Sequence, residues 1–328
     1  MSFCPRRSGR IERLSAVAAI ALCLLTAAAG NAWAARTALG DGRFIINVVD
    51  DFLEYADAAA RADAESRSVL WNRMLESRHP EFFSEVIYRK TSGPDREAFK
   101  KELLRRFWTE IFPRLSELRE TNRAAVGKML EARRAFQAAF PDFRPDCDYY
   151  LTVSFSFHGK VVEMGGRPVL AVGLENFRPG DPALDIAIAH EQFHLYHFRT
   201  FSTRGALYRS VWAEGLAVTA SEVLVPGQRF SRYLGFSGQR MNEIHGAYAR
   251  LARELALNLD NADHAVKRAW LGMEPNRLNV PPGAGYYLGR DMIHVLLKQG
   301  WKLAQLARLS PEEARRLLIQ AATAIRPE

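Results

Sequence analysis

The chain has 328 residues and a mass of 37.0 kDa, with 48% hydrophobic and 25% charged residues. That usage is ordinary for a soluble globular protein and excludes a disordered, a collagen-like or a multi-span membrane chain. Lys and Arg outnumber Asp and Glu 45 to 37, and the three cysteines are too few for a disulfide scaffold.

Residues 1–34 read as an address. Arg6, Arg7, Arg10 and Arg13 make a positive start, residues 14–29 follow without a charge, and Ala32-Trp33-Ala34 has the small-x-small pattern of a cleavage site. This predicts a secretory signal peptide cut after Ala34. The apolar run of 16 residues is marginal for a membrane span, so no stable membrane insertion is expected after cleavage. The expected location is the periplasm or the medium beyond it. Without residues 1–34 the chain keeps 41 basic and 36 acidic residues. No stretch interleaves clustered cations with aromatics, which argues against a nucleic-acid partner. Cys4 and Cys23 leave with the signal, and Cys147, left alone, reads as buried.

Residues 35–145 read as an N-terminal helical region. Phe44, Val48, Phe52 and Tyr55 recur at helical spacing, as do Val69, Met74 and Leu75 around Trp71. Gly93-Pro94 is a break, and residues 96–140 form a long amphipathic stretch interrupted at Pro113. The second region, 146–328, begins with a change of period. Residues 149–157 alternate as a strand, 160–163 and 168–174 follow as two more, and glycines at 159, 165 and 166 mark the turns. The expectation is a small antiparallel sheet.

Helical patterns then dominate. Asp181 and Pro182 open a helix that runs to about residue 199, and a second covers about 206–224. Further helices are expected at about 237–258, 286–299 and 311–324, with a Pro/Gly-rich loop at 274–285. Ser310 and Glu313 form a capping box at the last helix.

Residues 190–194 read His-Glu-Gln-Phe-His, an HExxH pattern within the first of these helices. At about 100° per residue, His190 and His194 lie one turn apart, about 40° from each other, and can reach one metal ion. Glu191 falls beside that face, placed for a water rather than for the metal. Two imidazoles with an oxygen ligand suit zinc. A catalytic zinc needs a third protein ligand, and Glu214, 20 residues after His194 in Trp-Ala-Glu-Gly-Leu-Ala on the next helix, is the best candidate. Gly215 and Ala217 are small enough to let helices pack closely there.

Such a site makes a water nucleophilic at neutral pH, with Glu191 as general base. The developing oxyanion needs a further donor, for which Tyr286 or Tyr287 is the candidate, with His294 and His245 behind them. A Tyr pair beside glycines is also an ordinary packing feature. The 168–174 strand either offers an edge to an extended peptide or is buried core. His197, about 10 Å along the helix from His190, suits packing or support of a ligand rather than ligation. Asp185 suits the helix dipole, Glu222 reads as solvated, Trp212 reads as core, and His79, His158 and His264 have no partner pattern.

The HEQFH helix, the WAEGLA helix and Gly285-Tyr286-Tyr287-Leu288-Gly289 resemble the predicted zinc-dependent proteases first catalogued as a domain of unknown function. More broadly they resemble the gluzincin metallopeptidases, in which a downstream Glu is the third ligand. The resemblance implies a zincin-like fold, His190, His194 and Glu214 as zinc ligands, and Glu191 as base. Thermolysin-like gluzincins carry a carboxylate four residues after the ligand Glu, where this chain has Val218, so the thermolysin branch is disfavoured.

The expected molecule is therefore a mostly helical α+β protein, with one zinc per chain and a peptide or protein substrate. The runner-up readings are a non-catalytic, zinc-stabilised binding or chaperone-like envelope protein, and a metal hydrolase of non-peptide amides.

Overall fold

A computed structural model describes residues 35–89, 91–144 and 146–324. The expected signal peptide lies outside the described residues. Among those described, no helix is long and apolar enough to cross a membrane.

The chain enters through β1 (Ala35–Ala38) and β2 (Phe44–Asn47), which pair antiparallel. Phe44, at helical spacing from Val48, thus belongs to a strand. The helix starts only after Asn47, whose side chain accepts a hydrogen bond from the Val49 amide at 3.2 Å. Val48, Phe52 and Tyr55 keep the helical spacing and are fully buried on α1 (Val48–Ala59). Asp63 caps α2 (Ala64–Trp71) by accepting from the Ser66 amide at 2.8 Å. The 96–140 stretch becomes α3 (Gly93–Arg106) and α4 (Leu115–Ala139), parted by irregular turns around Pro113.

The region's core is aromatic. Phe52 packs on Trp71, Phe83, Phe107 and Phe155 with ring centroids 5.6 to 6.1 Å apart. Burying one such side chain stabilises the fold by about 1.5–3 kcal/mol. Phe155 comes from the far side of the chain, so this core also fixes the loop that leads to the candidate site.

The sheet has five strands in the order β1-β2-β3-β5-β4, with β3 (Tyr149–Thr152), β4 (Gly159–Met164) and β5 (Arg167–Gly173). It is mixed, which corrects the antiparallel expectation. β3 is buried along its length and takes a parallel neighbour on each side, β2 and β5. The helices from α1 to α4 make the long crossover that the β2–β3 pair requires. Only the outer pairs, β1–β2 and β4–β5, are antiparallel. The sheet joins the region before residue 145 to the region after it.

The expected strand 149–157 stops at Thr152. Glu175 accepts from the Ser154 amide, the Ser154 hydroxyl and the Phe155 amide at 2.7 to 2.9 Å, drawing the chain out of the ladder. Phe155 is then left-handed, at φ 61°. This turn carries the chain past β5 to the outer edge of the sheet, where β4 lies.

The remaining principal helices are α5 (Ala183–His197), α6 (Leu207–Leu224), α7 (Gly238–Gly246), α8 (Tyr248–Asn258), α9 (His264–Leu271), α10 (Ala284–Lys298) and α11 (Pro311–Ala322). Residues 237–258, expected as one helix, break at Ala247 into α7 and α8. The Ser310–Glu313 capping box forms as the pattern indicated. Cys147 is buried, and burial pushes its thiol up to about 12.

Candidate metal centre

α5 opens as its sequence suggests: the Asp181 carboxylate accepts from the Ala183 amide at 2.9 Å. Farther along, its His190 and His194 present Nε2 atoms 3.1 Å apart. α6 begins where Leu207 and Tyr208 donate to the carbonyls of Asn261 and Leu259, both at 2.8 Å. It runs back across α5, and the Ser221 hydroxyl reaches the Ile186 carbonyl at 3.4 Å. The crossing brings Glu214 Oε2 to 3.2 Å from both imidazole nitrogens.

The three residues form a group that could hold a metal ion. Each Nε2 faces two other ligand atoms at hydrogen-bond distance, yet an imidazole nitrogen carries at most one proton. Mutual closeness of this kind is what a shared central cation satisfies. The three groups are also coupled by charge. Burial opposes ionisation of Glu214, but the neighbouring His194 and His190 hold its carboxyl well below the usual range. Burial would lower the His194 pKa, and Glu214, with Glu191, more than reverses that.

Glu191 lies beside this group and is buried, which raises its pKa. The charges of His194 and His190 and a hydrogen bond from the Val161 backbone act against the rise. Its position depends on β4. A Cβ on Gly159 would stand 2.5 Å from Glu191 Cγ, so strand and side chain meet only because residue 159 has no side chain.

Tyr286 and Tyr287 part company. Tyr286 lines the cleft, its ring centroid 6.5 Å from that of His190, and burial drives its phenol far above the ordinary value. Tyr287 turns away and packs on Phe230 and Tyr248, at 4.9 and 5.9 Å, so it is set aside as a site residue. The helix that carries them is held at Gly215 and Gly289. A Cβ on Gly215 would meet the Gly289 carbonyl carbon at 2.5 Å, and one on Gly289 would meet the Val211 carbonyl oxygen at 2.7 Å. Gly215 therefore packs α6 on α10, three residues from Tyr286.

A cleft of about 330 Å³ opens over the group. Gly159, Lys160 and Val161 of β4 form one wall, and Phe198, Ser210 and Leu271 also line it. Phe198 stacks on the His194 ring at 4.7 Å and stays 38% exposed. The strand at the cleft is thus β4, the free edge of the sheet. The 168–174 segment is β5, paired on both sides and buried, so it has no edge to offer. The β4 contribution was missed because Gly159 in the sequence signals only a turn.

Several other residues have structural employment. Glu222, expected to be solvated, is largely buried between Arg290 at 2.9 Å and His294 at 2.6 Å, away from the cleft. His245 lies outside the cleft lining too. Asp185 pairs with Lys128 at 2.5 Å, His79 with Asp51 at 2.7 Å, and Trp212 is core. His197 is fully buried against Phe201, with centroids 4.5 Å apart.

Comparison with protein-family models, with curated proteins and with solved structures gives no match.

Proposed function

We propose that the chain is an exported zinc-dependent metallopeptidase with a zincin-like arrangement, akin to the predicted zinc proteases its motifs resemble. The observation that carries this reading is the triangle of His190 Nε2, His194 Nε2 and Glu214 Oε2, with sides of 3.1 to 3.2 Å. A tetrahedral ion with bonds of about 2.0–2.1 Å sets its ligand atoms about 3.3 Å apart, so the donor set and its size both suit zinc.

Zinc held there supplies Lewis acidity, which brings the pKa of water near about 7 and polarises a carbonyl. The chain's own residues do the rest. Glu191 accepts a proton from the attacking water at its carboxylate and delivers it to the departing amine. Tyr286, kept protonated by burial, donates its O–H to the carbonyl oxygen as negative charge builds there. The free edge of β4 favours a peptide over other amides, because an extended backbone can pair with it beside Glu191.

The test is zinc per chain, by elemental mass spectrometry, on protein purified without a metal-affinity tag. The expected result is close to one zinc in the wild type and its loss in Glu214→Ala. Glu191→Gln is expected to keep the metal and lose turnover on a peptide library. No zinc after reconstitution at neutral pH, or cleavage by Glu191→Gln at the parental rate, overturns the proposal.

A further inference from the structure

The cleft carries a positive charge that the hydrolytic step does not use. Lys160 lies between Gly159 and Val161 on the wall, and among the described residues it is the one Lys or Arg lining the cleft. Arg89 is close enough for its charge to act on Lys160, as is Glu191 with the opposite sign. Neither Lys160 nor Arg89 has an ion-pair partner among the described residues. Arg89 also holds a left-handed backbone at φ 52°, a conformation that non-glycine residues adopt at some cost and that recurs where chains clamp ligands. Lys160 and Arg89 repel each other, Glu191 offsets part of that repulsion without forming an ion pair, and a carboxylate placed beside the two cations relieves the rest.

The ladder says where such a carboxylate would arrive. Lys160 stands opposite Ala171 and Gly159 opposite Val172. The Gly173 amide donates to the His158 carbonyl at 2.9 Å, which makes 158–173 a hydrogen-bonded pair. Such pairs alternate along an antiparallel ladder. Residues 158, 160 and 162 therefore direct their backbone polar groups at β5, while Gly159 and Val161 direct theirs at the free edge. The hydrogen bond between the Val161 backbone and Glu191 agrees with that register. A peptide adding at this edge pairs its backbone with Gly159 and with the carbonyl of Val161, whose amide is held by Glu191. Its intervening residue then faces Lys160 in a non-hydrogen-bonded pair, where opposing side chains come closest.

We propose that Lys160 reads a carboxylate on the substrate residue that lies opposite it in the cleft. This rests on the peptidase reading of the same site. The carboxylate can belong to an Asp or Glu side chain within a longer peptide, or to a free C-terminus. Acidic peptides are then the preferred substrates, and residue 160 sets the preference by charge without touching the reacting atoms.

Two sets of measurements test it. Fluorogenic peptides with an acidic or an isosteric neutral residue at each position, and with a free or an amidated C-terminus, are assayed with wild type, Lys160→Ala and Lys160→Glu. The same peptides, dye-labelled, are titrated against zinc-loaded Glu191→Gln protein with and without Lys160→Ala. The expected result is about a fivefold preference in kcat/KM for acid over neutral at one position. The ratio falls to about one in Lys160→Ala and turns toward cationic residues in Lys160→Glu. If the C-terminus is the source, the same dependence follows the change from acid to amide instead. A preference unaltered by Lys160→Ala, or no preference, overturns the proposal while the peptidase reading stands. Lys160-dependent binding of acidic peptides without cleavage by wild type supports the carboxylate site and sinks the peptidase reading. Absence of both cleavage and binding overturns both.

Discussion

His197 is fully buried three residues after His194, stacked on Phe201, and neither ring nitrogen has a hydrogen-bond partner among the described residues. Burial, reinforced by the nearby His194, lowers its pKa from 6.5 to about 3. The folded protein therefore keeps this ring neutral at pH values where the unfolded chain protonates it. Stability from this source is intact above pH 6.5 and drains away as the pH falls from 6.5 towards 3, at about 1.4 kcal/mol per unit. By pH 5 the loss is about 2 kcal/mol. Replacing His197 with Phe keeps an aromatic ring on Phe201 and removes the titration. Urea unfolding followed by tryptophan fluorescence, with chelator present so that metal loss does not contribute, reads the effect between pH 7.5 and 5. The variant should gain about 2 kcal/mol on the wild type across that range, on top of any constant offset from the change in ring shape. A stability difference that does not vary with pH would refute the reasoning and show that His197 finds a proton partner in the folded state.

Three further substitutions address the site. Gly215→Ala sets a methyl against the Gly289 backbone at 2.5 Å; it should destabilise by about 1–3 kcal/mol in thermal unfolding and lower kcat at least about tenfold as Tyr286 shifts. Gly159→Ala places a methyl 2.5 Å from Glu191 Cγ; metal content should hold while turnover falls about a hundredfold, measured on the same preparation. Tyr286→Phe removes the donor proposed for the carbonyl oxygen; steady-state kinetics should show kcat down by about 10²–10³ with KM little changed, and an unaltered kcat would assign the oxyanion to another group.

The helical parts of the site were legible because they are local. His190 and His194 share a face by spacing alone, and Asp181 and Pro226 mark the ends of α5 and α6 to within a residue or two. The sheet was less legible. Phe44 fits a helix face and a strand equally well, and four-residue strands such as β2 and β3 hold too few positions to show a period or choose a neighbour. Which strand forms the edge is decided by Glu175 turning the chain at Ser154 and Phe155, an interaction 20 residues apart that no periodicity displays. Tyr286 and Tyr287 could not be separated either. Adjacent residues differ by about 100° around a helix, and the face that meets the site is chosen by the Gly215–Gly289 contact, which is set between two helices.

The N-terminal helices bear on the site through the same loop. Phe155 is held between Phe52 and Trp71, its carbonyl accepts from Arg106 at 2.6 Å, and its amide donates to Glu175. Four residues later the chain reaches Gly159, where the close approach to Glu191 begins. Any slackening of the aromatic core therefore acts on Glu191 through a short, hydrogen-bonded lever, while His190, His194 and Glu214 stay in place on α5 and α6. The two halves of the site are thus separable in kind. The His190–His194–Glu214 triangle depends on the packing of α5 and α6 with α10 and on the carbonyls of Leu259 and Asn261, whereas the position of Glu191 and the β4 edge depends on packing that reaches back to α1. Core substitutions at Phe52 or Trp71 belong with the second half: they perturb the alignment of Glu191 and β4 before they perturb the His190–His194–Glu214 triangle.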